Sequence, residues 1–201
     1  MFRDWNENFS LIRFLHAVPE GEEVDVYIND TPFYNDLDFT DFSPYVYVPK
    51  GNYTVNVYLS DTRENPILSQ NIDVGSGQLV TIAISGENED IKLIPVIEEI
   101  TAVSGNNSKV RVVHLSPNAP SVNVLADNQP LFENVKYRDV TDYKVVPSKT
   151  YVVRIEEANS NKLMLQNQVT VNPSQIYTFY AVGNLPNVSI IQSLDGSTFM
   201  V

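Results

Sequence analysis

Residues 13–22 read RFLHAVPEGE, and residues 111–120 read RVVHLSPNAP. Each stretch has an arginine, two apolar residues, a histidine and, three positions after the histidine, a proline. The second arginine follows the first by 98 positions (111 − 13). A phrase written twice at such a distance indicates a duplicated unit, so internal repetition decides how the rest of the chain is interpreted.

The repetition extends well beyond this phrase. An offset of 98 aligns residues 13–57 with 111–155 without a gap and gives 12 identical pairs in 45 positions. One residue is then lost in the second copy, and an offset of 97 continues the match. Two copies of one domain are therefore predicted, each of roughly 90 residues, a normal size for a small all-β unit. The predicted order is an N-terminal arm (1–10), a first repeat (11–98), a linker (99–108), a second repeat (109–195) and a C-terminal tail (196–201).

The period inside each copy is that of β-strands. In YTVNVYL, which begins at Tyr53, apolar or aromatic side chains alternate with the intervening ones, as on the two faces of a strand. β-branched and aromatic residues dominate such runs, and turn-forming residues separate them at short intervals. No segment has a convincing helical period. We predict an all-β chain with two tandem β-sandwich domains of immunoglobulin or transthyretin-like kind.

Four phrases resemble a known family. These are RFLHAVPEGEEVDVYIND, VPKGNYTVNVY, RVVHLSPNAPSVNVLADNQP and VPSKTYVVRI. With the repeat, they are similar to a tandem pair from the bacterial domain-of-unknown-function family numbered 4397, over nearly all of residues 11–195. The resemblance implies a β-sandwich, commonly found in exported or cell-surface bacterial proteins. It implies no activity.

Composition excludes several classes of partner and site. The chain has 201 residues and a net charge of −12, which argues against binding to nucleic acid or to an anionic membrane surface. It has no cysteine, so disulfides, zinc–thiolate sites and iron–sulfur clusters are excluded. No apolar run is long enough to span a bilayer. We predict neither nucleic-acid binding nor membrane insertion.

The repeated polar residues are predicted to be structural. A catalytic or metal-binding histidine needs a carboxylate, a nucleophile or further ligands beside it, and each copy offers one histidine. We expect both histidines to bond the backbone of the turn that follows, and both arginines to pair with a carboxylate such as Asp41 or Asp139. The predicted structural signature is Arg13, His16, Pro19 and Asp41 in the first copy and Arg111, His114, Pro117 and Asp139 in the second.

Other site motifs are weak or absent. The acidic loops NDLDFTD and EGEEVD lack the spacing of a defined calcium loop, and the second copy replaces Asp38 with Lys136 and Glu22 with Pro120. No nucleophile-elbow, phosphate-loop or dinucleotide-binding motif is present. We predict no catalytic residue, no metal site and no cofactor, and hence no enzymatic activity.

The two ends of the chain carry large apolar residues outside the repeat. If they do not fold back onto their own domains, they are suited to anchor the chain on another subunit. This would make the terminal arms, together with open sheet edges, the route of self-association. The candidate assembly residues are Phe2, Trp5, Phe9, Phe199 and Met200.

Two functions of different class follow. The first is a non-enzymatic structural or assembly module of a bacterial surface, associated with a spore coat or appendage if the source forms spores. The second is a carbohydrate-binding β-sandwich module, for which exposed tyrosines would supply the stacking faces. The stretch MFRDWNENFS lacks the apolar segment of a secretory signal, so retention, an unusual export route and a processed mature form all stay open. The candidate glycan-binding residues are Tyr27, Tyr34, Tyr45, Tyr47 and Tyr58.

Overall fold

The computed structural model describes residues 8–199, with Phe199 described in its backbone alone. The chain divides into two compact units, one ending at Ile100 and the other beginning at Thr101. Within residues 8–199, each unit contains eight strands in two sheets of four, and the only other regular element of each is a short 3-10 turn. The predicted all-β architecture of two sandwich-like halves is therefore confirmed. The finer immunoglobulin or transthyretin-like assignment stays a prediction.

The first sandwich consists of β1 to β8. One sheet has the order β4-β1-β7-β8 and the other the order β3-β2-β5-β6. All strand pairs are antiparallel except β1 with β7, which run parallel. The strands are β1 (Phe9–His16), β2 (Val24–Ile28), β3 (Thr31–Leu37), β4 (Val46–Pro49), β5 (Gly51–Leu59), β6 (Leu68–Val74), β7 (Leu79–Ser85) and β8 (Lys92–Glu98), with a 3-10 turn at Asn88–Asp90.

The second sandwich repeats this topology with β9 to β16. Its sheets have the orders β12-β9-β15-β16 and β11-β10-β13-β14, and β9 runs parallel to β15. The strands are β9 (Asn107–His114), β10 (Val122–Ala126), β11 (Gln129–Val135), β12 (Lys144–Pro147), β13 (Thr150–Glu157), β14 (Leu163–Thr170), β15 (Ile176–Val182) and β16 (Ser189–Leu194), with a 3-10 turn at Gly196–Phe199.

The hairpin turn of each copy shows how sequence sets the register. Asn29 and Asp30 both have positive φ (46° and 61°), as do Asp127 and Asn128 (50° and 63°). Two consecutive left-handed residues make the type of tight turn that suits two twisted antiparallel strands, and Asn and Asp tolerate this conformation best among non-glycine residues. The turn fixes the pairing of β2 with β3 and of β10 with β11.

Strand alternation builds the two cores. On β1, Ile12 and Phe14 point between the sheets and are fully buried, while Arg13 points to the opposite face. The same parity places Val110 and Val112 inside the second sandwich and Arg111 outside its core. The alternation therefore puts the repeated arginines on the outer face of their sheets.

Candidate functional site

Arg13 points to the outer face of its sheet, but it is buried there in a cluster of polar and aromatic side chains. Its Nε donates to Thr81 Oγ1 at 2.8 Å, and its guanidinium lies 3.6 Å from Glu98 Oε1. The hydroxyls of Thr81 and Tyr45 both donate to Glu98 Oε1 at 2.6 Å. The rings of Tyr45 and Phe42 face the guanidinium, with centroids 4.5 and 4.4 Å away. The charge is thus satisfied by a carboxylate, a hydroxyl and two aromatic faces.

The second sandwich builds the corresponding cluster, in which Val140 takes the position of Phe42. Arg111 Nε donates to Thr178 Oγ1 at 2.9 Å, and its guanidinium lies 3.9 Å from Asp195 Oδ2. Thr178 and Tyr143 both donate to Asp195, and the Tyr143 ring faces the guanidinium at 4.3 Å. Burial, with the nearby Asp195 carboxylate, raises the pKa of Tyr143. That tyrosine therefore stays a neutral hydrogen-bond donor.

The carboxylates that meet the arginines are not the ones predicted. Asp41 and Asp139 are exposed loop residues, and the backbone carbonyl of each accepts the N–H of the histidine that ends β1 or β9, at 3.1 Å. The partners are instead Glu98 and Asp195, because β8 and β16 lie beside β7 and β15. An offset of 97 pairs these two acids, so the repeat did contain a signal for them, in side chains of different length.

His16 and His114 lie at the ends of β1 and β9 and hold the loops that follow. Nδ1 of His16 accepts the N–H of Val18 at 3.2 Å, so Nε2 donates to the carbonyl of Glu22 at 3.0 Å. His114 bonds Ser116 and Pro120 in the same way, at 3.3 and 3.1 Å. Burial lowers the pKa of both imidazoles. Neutral rings with both nitrogens bonded to backbone are poorly suited to act as bases or metal ligands.

The prolines of the repeated phrase belong to these loops. Pro19 is buried and Pro117 is half-buried. Each lies between its histidine and the carbonyl that the imidazole Nε2 reaches. The repeated phrase therefore contains the buried arginine, the histidine that ends the strand, and the loop that this histidine holds by hydrogen bonds.

Within residues 8–199, no group of three or more His, Asp and Glu side chains is placed to bind a metal ion. Of the acidic stretch NDLDFTD, Asp36 lies in β3 and Asp38 follows that strand; both are exposed, and Asp36 has a left-handed φ of 54°. In the same part of the chain, no helix is long and apolar enough to cross a membrane.

The candidate tyrosines do not form one exposed platform. Tyr27 and Tyr58 are buried and pack edge to face with centroids 5.4 Å apart, and Arg63 lies over the Tyr27 ring at 4.1 Å. Tyr34 is half-buried against the core, and Tyr45 is bonded to Glu98 as described above. Tyr47 differs from the others, because it is 49% exposed on the edge strand β4.

An exposed apolar patch surrounds Tyr47 at the start of the first sandwich. Phe9 pairs with Pro49 and Leu11 with Tyr47, so the side chains of Phe9, Tyr47 and Pro49 lie on one face. Phe9 is 37% exposed, and Pro49 is exposed. We call Phe9, Tyr47 and Pro49 the edge patch.

The other candidate assembly residues are described only in part. Phe2, Trp5 and Met200 lie outside the described residues, and so does the side chain of Phe199. Phe9 is thus the one member of that set whose side chain is described, and it belongs to β1. Sequence reasoning assigned it to the arm and missed its pairing with β4, because an antiparallel partner 40 positions away (49 − 9) leaves no local signal.

Comparison with solved structures gives weak matches. One is "Alpha-glucan binding by a streptococcal virulence factor", with 12% identity, a TM-score of 0.29, and coverage of 96% of this chain and 99% of that chain. Another is the carbohydrate-binding module CBMbc (family CBM26) from Eubacterium rectale Amy13K with maltoheptaose, at 9% identity, a TM-score of 0.29, and coverage of 94% and 99%. These scores are too low to indicate a shared ligand.

A search of curated proteins gives no match. The family model described as "Domain of unknown function (DUF4397)" matches twice, at residues 10–125 and 108–198. Together the two matches span nearly all of both sandwiches, and they confirm the resemblance drawn from the repeated phrases. The chain is therefore a tandem member of the DUF4397 family.

Proposed function

We propose that this chain is a non-enzymatic structural module of a bacterial surface and that it self-associates through its first sandwich. The observation that carries the proposal is the edge patch, in which Phe9 and Tyr47 are 37% and 49% exposed on the same face of the β1–β4 pair. Clustered large apolar groups on a soluble domain mark sites of interaction, and aromatic residues are the usual anchors of such contacts.

Side-chain contact is a better route for this association than addition of a strand. β4 is only four residues long and ends at Pro49, which has no N–H to donate. Short edge strands and prolines are the features that keep sheet edges from pairing. β8, at the other edge of the same sheet, carries Pro95 in its middle. The edge patch therefore joins two chains through its exposed rings.

The second sandwich provides an internal control. The positions equivalent to Phe9 and Tyr47 are Asn107 and Val145, and Asn107 pairs with Pro147 as Phe9 does with Pro49. Val145 is 60% exposed and pairs with Lys109, and Asn107 stands where the first sandwich has Phe9. If the aromatic pair drives association, the two halves respond differently to the same surface substitution.

Light scattering of the full chain tests the proposal. We expect a defined oligomer, which Phe9→Ser and Tyr47→Ser each shift towards the monomer mass. Val145→Ser is the matched control and leaves the oligomer unchanged. A wild-type chain that stays monomeric over the whole concentration range contradicts the proposal, as does equal dissociation by Val145→Ser.

Glycan binding is the second candidate, and the exposed ring of Tyr47 is what favours it. The face of a tyrosine ring can stack on a sugar ring. Phe9, which pairs with Pro49, adds a second exposed ring on the same face of the strand pair. Affinity electrophoresis through gels containing an α-glucan or xylan separates the candidates. Retardation by a glycan that Tyr47→Ser abolishes, in a monomeric chain, favours the glycan function. Association without retardation favours the structural module.

A further inference from the structure

The interior of the second sandwich contains a cavity of about 40 Å³ that lies between its two sheets. Ala126 on β10 lines it from one sheet, and Phe179 and Ala181 on β15 line it from the other. Its lining is apolar. A buried water needs about 10–15 Å³ of space and at least two polar partners. The cavity meets the first condition and offers no polar partner, so it excludes ordered water.

Comparison of the two copies explains why the space exists. The strand registers equate Ile28 with Ala126 and Ile84 with Ala181. At both positions a methyl group in the second sandwich stands where the first sandwich has a butyl side chain. Ile84 is fully buried in the first core, and Ala181 is 3% exposed in the second. The second copy has therefore lost apolar volume at two places that line the cavity.

A third difference between the copies does not restore that volume. Phe14 pairs with Ile82 across β1 and β7, whereas Val112 pairs with Phe179 across β9 and β15. The aromatic ring has moved from one strand to its neighbour, so the two pairs fill similar volumes. This exchange therefore does not replace the side-chain volume lost at Ala126 and Ala181.

We propose that the second sandwich binds a small apolar molecule in this cavity, of a size between a xenon atom and a short hydrocarbon. An apolar cavity without hydrogen-bonding groups binds ligands that need none. The cavity is also accessible, because its lining residues Ala126, Leu131 and Tyr151 are only partly buried. The proposal rests on the core of the second sandwich and is independent of the edge patch.

Xenon is the probe for the first experiment, because it has no polar group and enters cavities without chemical specificity. The full chain, with labelled alanine and isoleucine methyl groups, is titrated with dissolved xenon and followed by NMR. We expect saturable shifts at Ala126 and Ala181. Linear, non-saturating shifts at Ile28 and Ile84 serve as the reference from the first sandwich. Absence of a saturable response at both alanines, or the same response in both halves, overturns the proposal.

Substitutions then locate the binding site. Ala126→Ile restores the residue of the first copy, and we expect it to abolish the saturable shift at Ala181. Val152→Ile is the matched control, because Val152 is a 36% exposed residue of the same sheet that does not line the cavity. If Ala126→Ile does not fold, Ala126→Val is expected to weaken xenon binding severalfold. An unchanged Ala181 response in a folded Ala126 variant places the xenon elsewhere and overturns the assignment.

Discussion

Each sandwich holds one arginine against a carboxylate, a threonine hydroxyl and a tyrosine ring, but the two interiors are filled by different residues. Arg13 and Arg111 contact a carboxylate, a threonine and a tyrosine at corresponding positions, although Phe42, which also faces Arg13, corresponds to Val140 in the second copy. By contrast, the core positions Ile28 and Ile84 correspond to alanines in the second copy. The contacts of the arginine with a carboxylate, a threonine and a tyrosine are thus kept in both copies, whereas these two core positions differ in volume.

The physical reason is that a buried charge depends on every one of its partners. Loss of one partner leaves a charge or a hydrogen bond unsatisfied in a medium that solvates it poorly. An apolar side chain tolerates exchange as long as the neighbours absorb the change in volume. The exchange of Phe14 and Ile82 for Val112 and Phe179 is such a case. The polar cluster is therefore kept in both copies, whereas apolar residues of the interior can be exchanged independently in each copy.

Neutralising the buried carboxylates is expected to give the largest effect, and an equal one in the two halves. Glu98→Gln removes the negative charge 3.6 Å from the Arg13 guanidinium, and removal of one member of a buried ion pair costs about 3–5 kcal/mol. Asp195→Asn does the same to Arg111. Hydrogen exchange in the full chain measures the two halves separately, through the amides of β1 and β9. Each variant lowers the free energy of opening in its own sandwich.

Glu89→Gln is the control, because Glu89 is an exposed residue of the 3-10 turn in the first sandwich. It removes the same charge from the same unit and is expected to change the free energy of opening by less than about 0.5 kcal/mol. If Glu98→Gln is as mild as Glu89→Gln, the cluster does not stabilise its sandwich and the comparison between polar and apolar positions fails.

A second prediction compares one core position at which both copies have the same residue type. Val26 and Val124 are equivalent, and both are buried, but only Val124 lines the cavity. Val26→Leu adds volume to a core in which Ile28 and Ile84 stand where the second copy has alanines, and overpacking of a core costs roughly 1–3 kcal/mol. Val124→Leu places an extra methylene beside open space, which contributes up to about 0.8 kcal/mol of stability. Hydrogen exchange of β1 and β9 measures both free energies. Destabilisation of the same size in the two halves contradicts the inferred difference in packing.

The sequence predicted the architecture because repetition and strand period are encoded in nearby residues. The alternation around Tyr53 places Val55 and Val57 in the first core, as the period of two requires. It also predicted that the histidines bond the backbone after the strand, and the structure has His16 and His114 bonded in this way. Both features depend on residues within a few positions of each other.

The partners of the arginines and the cavity depend instead on contacts distant in the chain. Glu98 lies 85 positions after Arg13 (98 − 13), and its carboxylate is reached only because β7 places β8 near β1. Similarly, nothing in the residues around Ala126 indicates a cavity. The cavity forms because Ala181 of the opposite sheet lines the same space. A local pattern has no information on which strands become neighbours, so these features could not be derived from it.

The smallest effect concerns pH, and here the two halves are again expected to agree. Burial lowers the pKa of His16 and His114 below the ordinary value of 6.5, although Asp38 and Asp139 act in the opposite direction. The unfolded chain therefore binds more protons than the folded chain as the pH falls below 6.5. The contribution of each neutral imidazole to the free energy of unfolding is present above that pH and is lost below it.

His16→Gln and His114→Gln each remove one such group, so each is expected to flatten the fall in stability of its own sandwich between about pH 7 and pH 5. Hydrogen exchange of the β1 and β9 amides at several pH values measures this slope, and the other half of the same molecule is the control. The carboxylates of the chain titrate in both variants and in the wild type, so they cancel in the difference. A slope that stays the same in both variants means that the folded chain takes up the imidazole protons as readily as the unfolded chain does, so that the rings become charged in the folded chain as the pH falls. The bonding of Nδ1 to a backbone N–H excludes that state, because a protonated Nδ1 has no lone pair left to accept it.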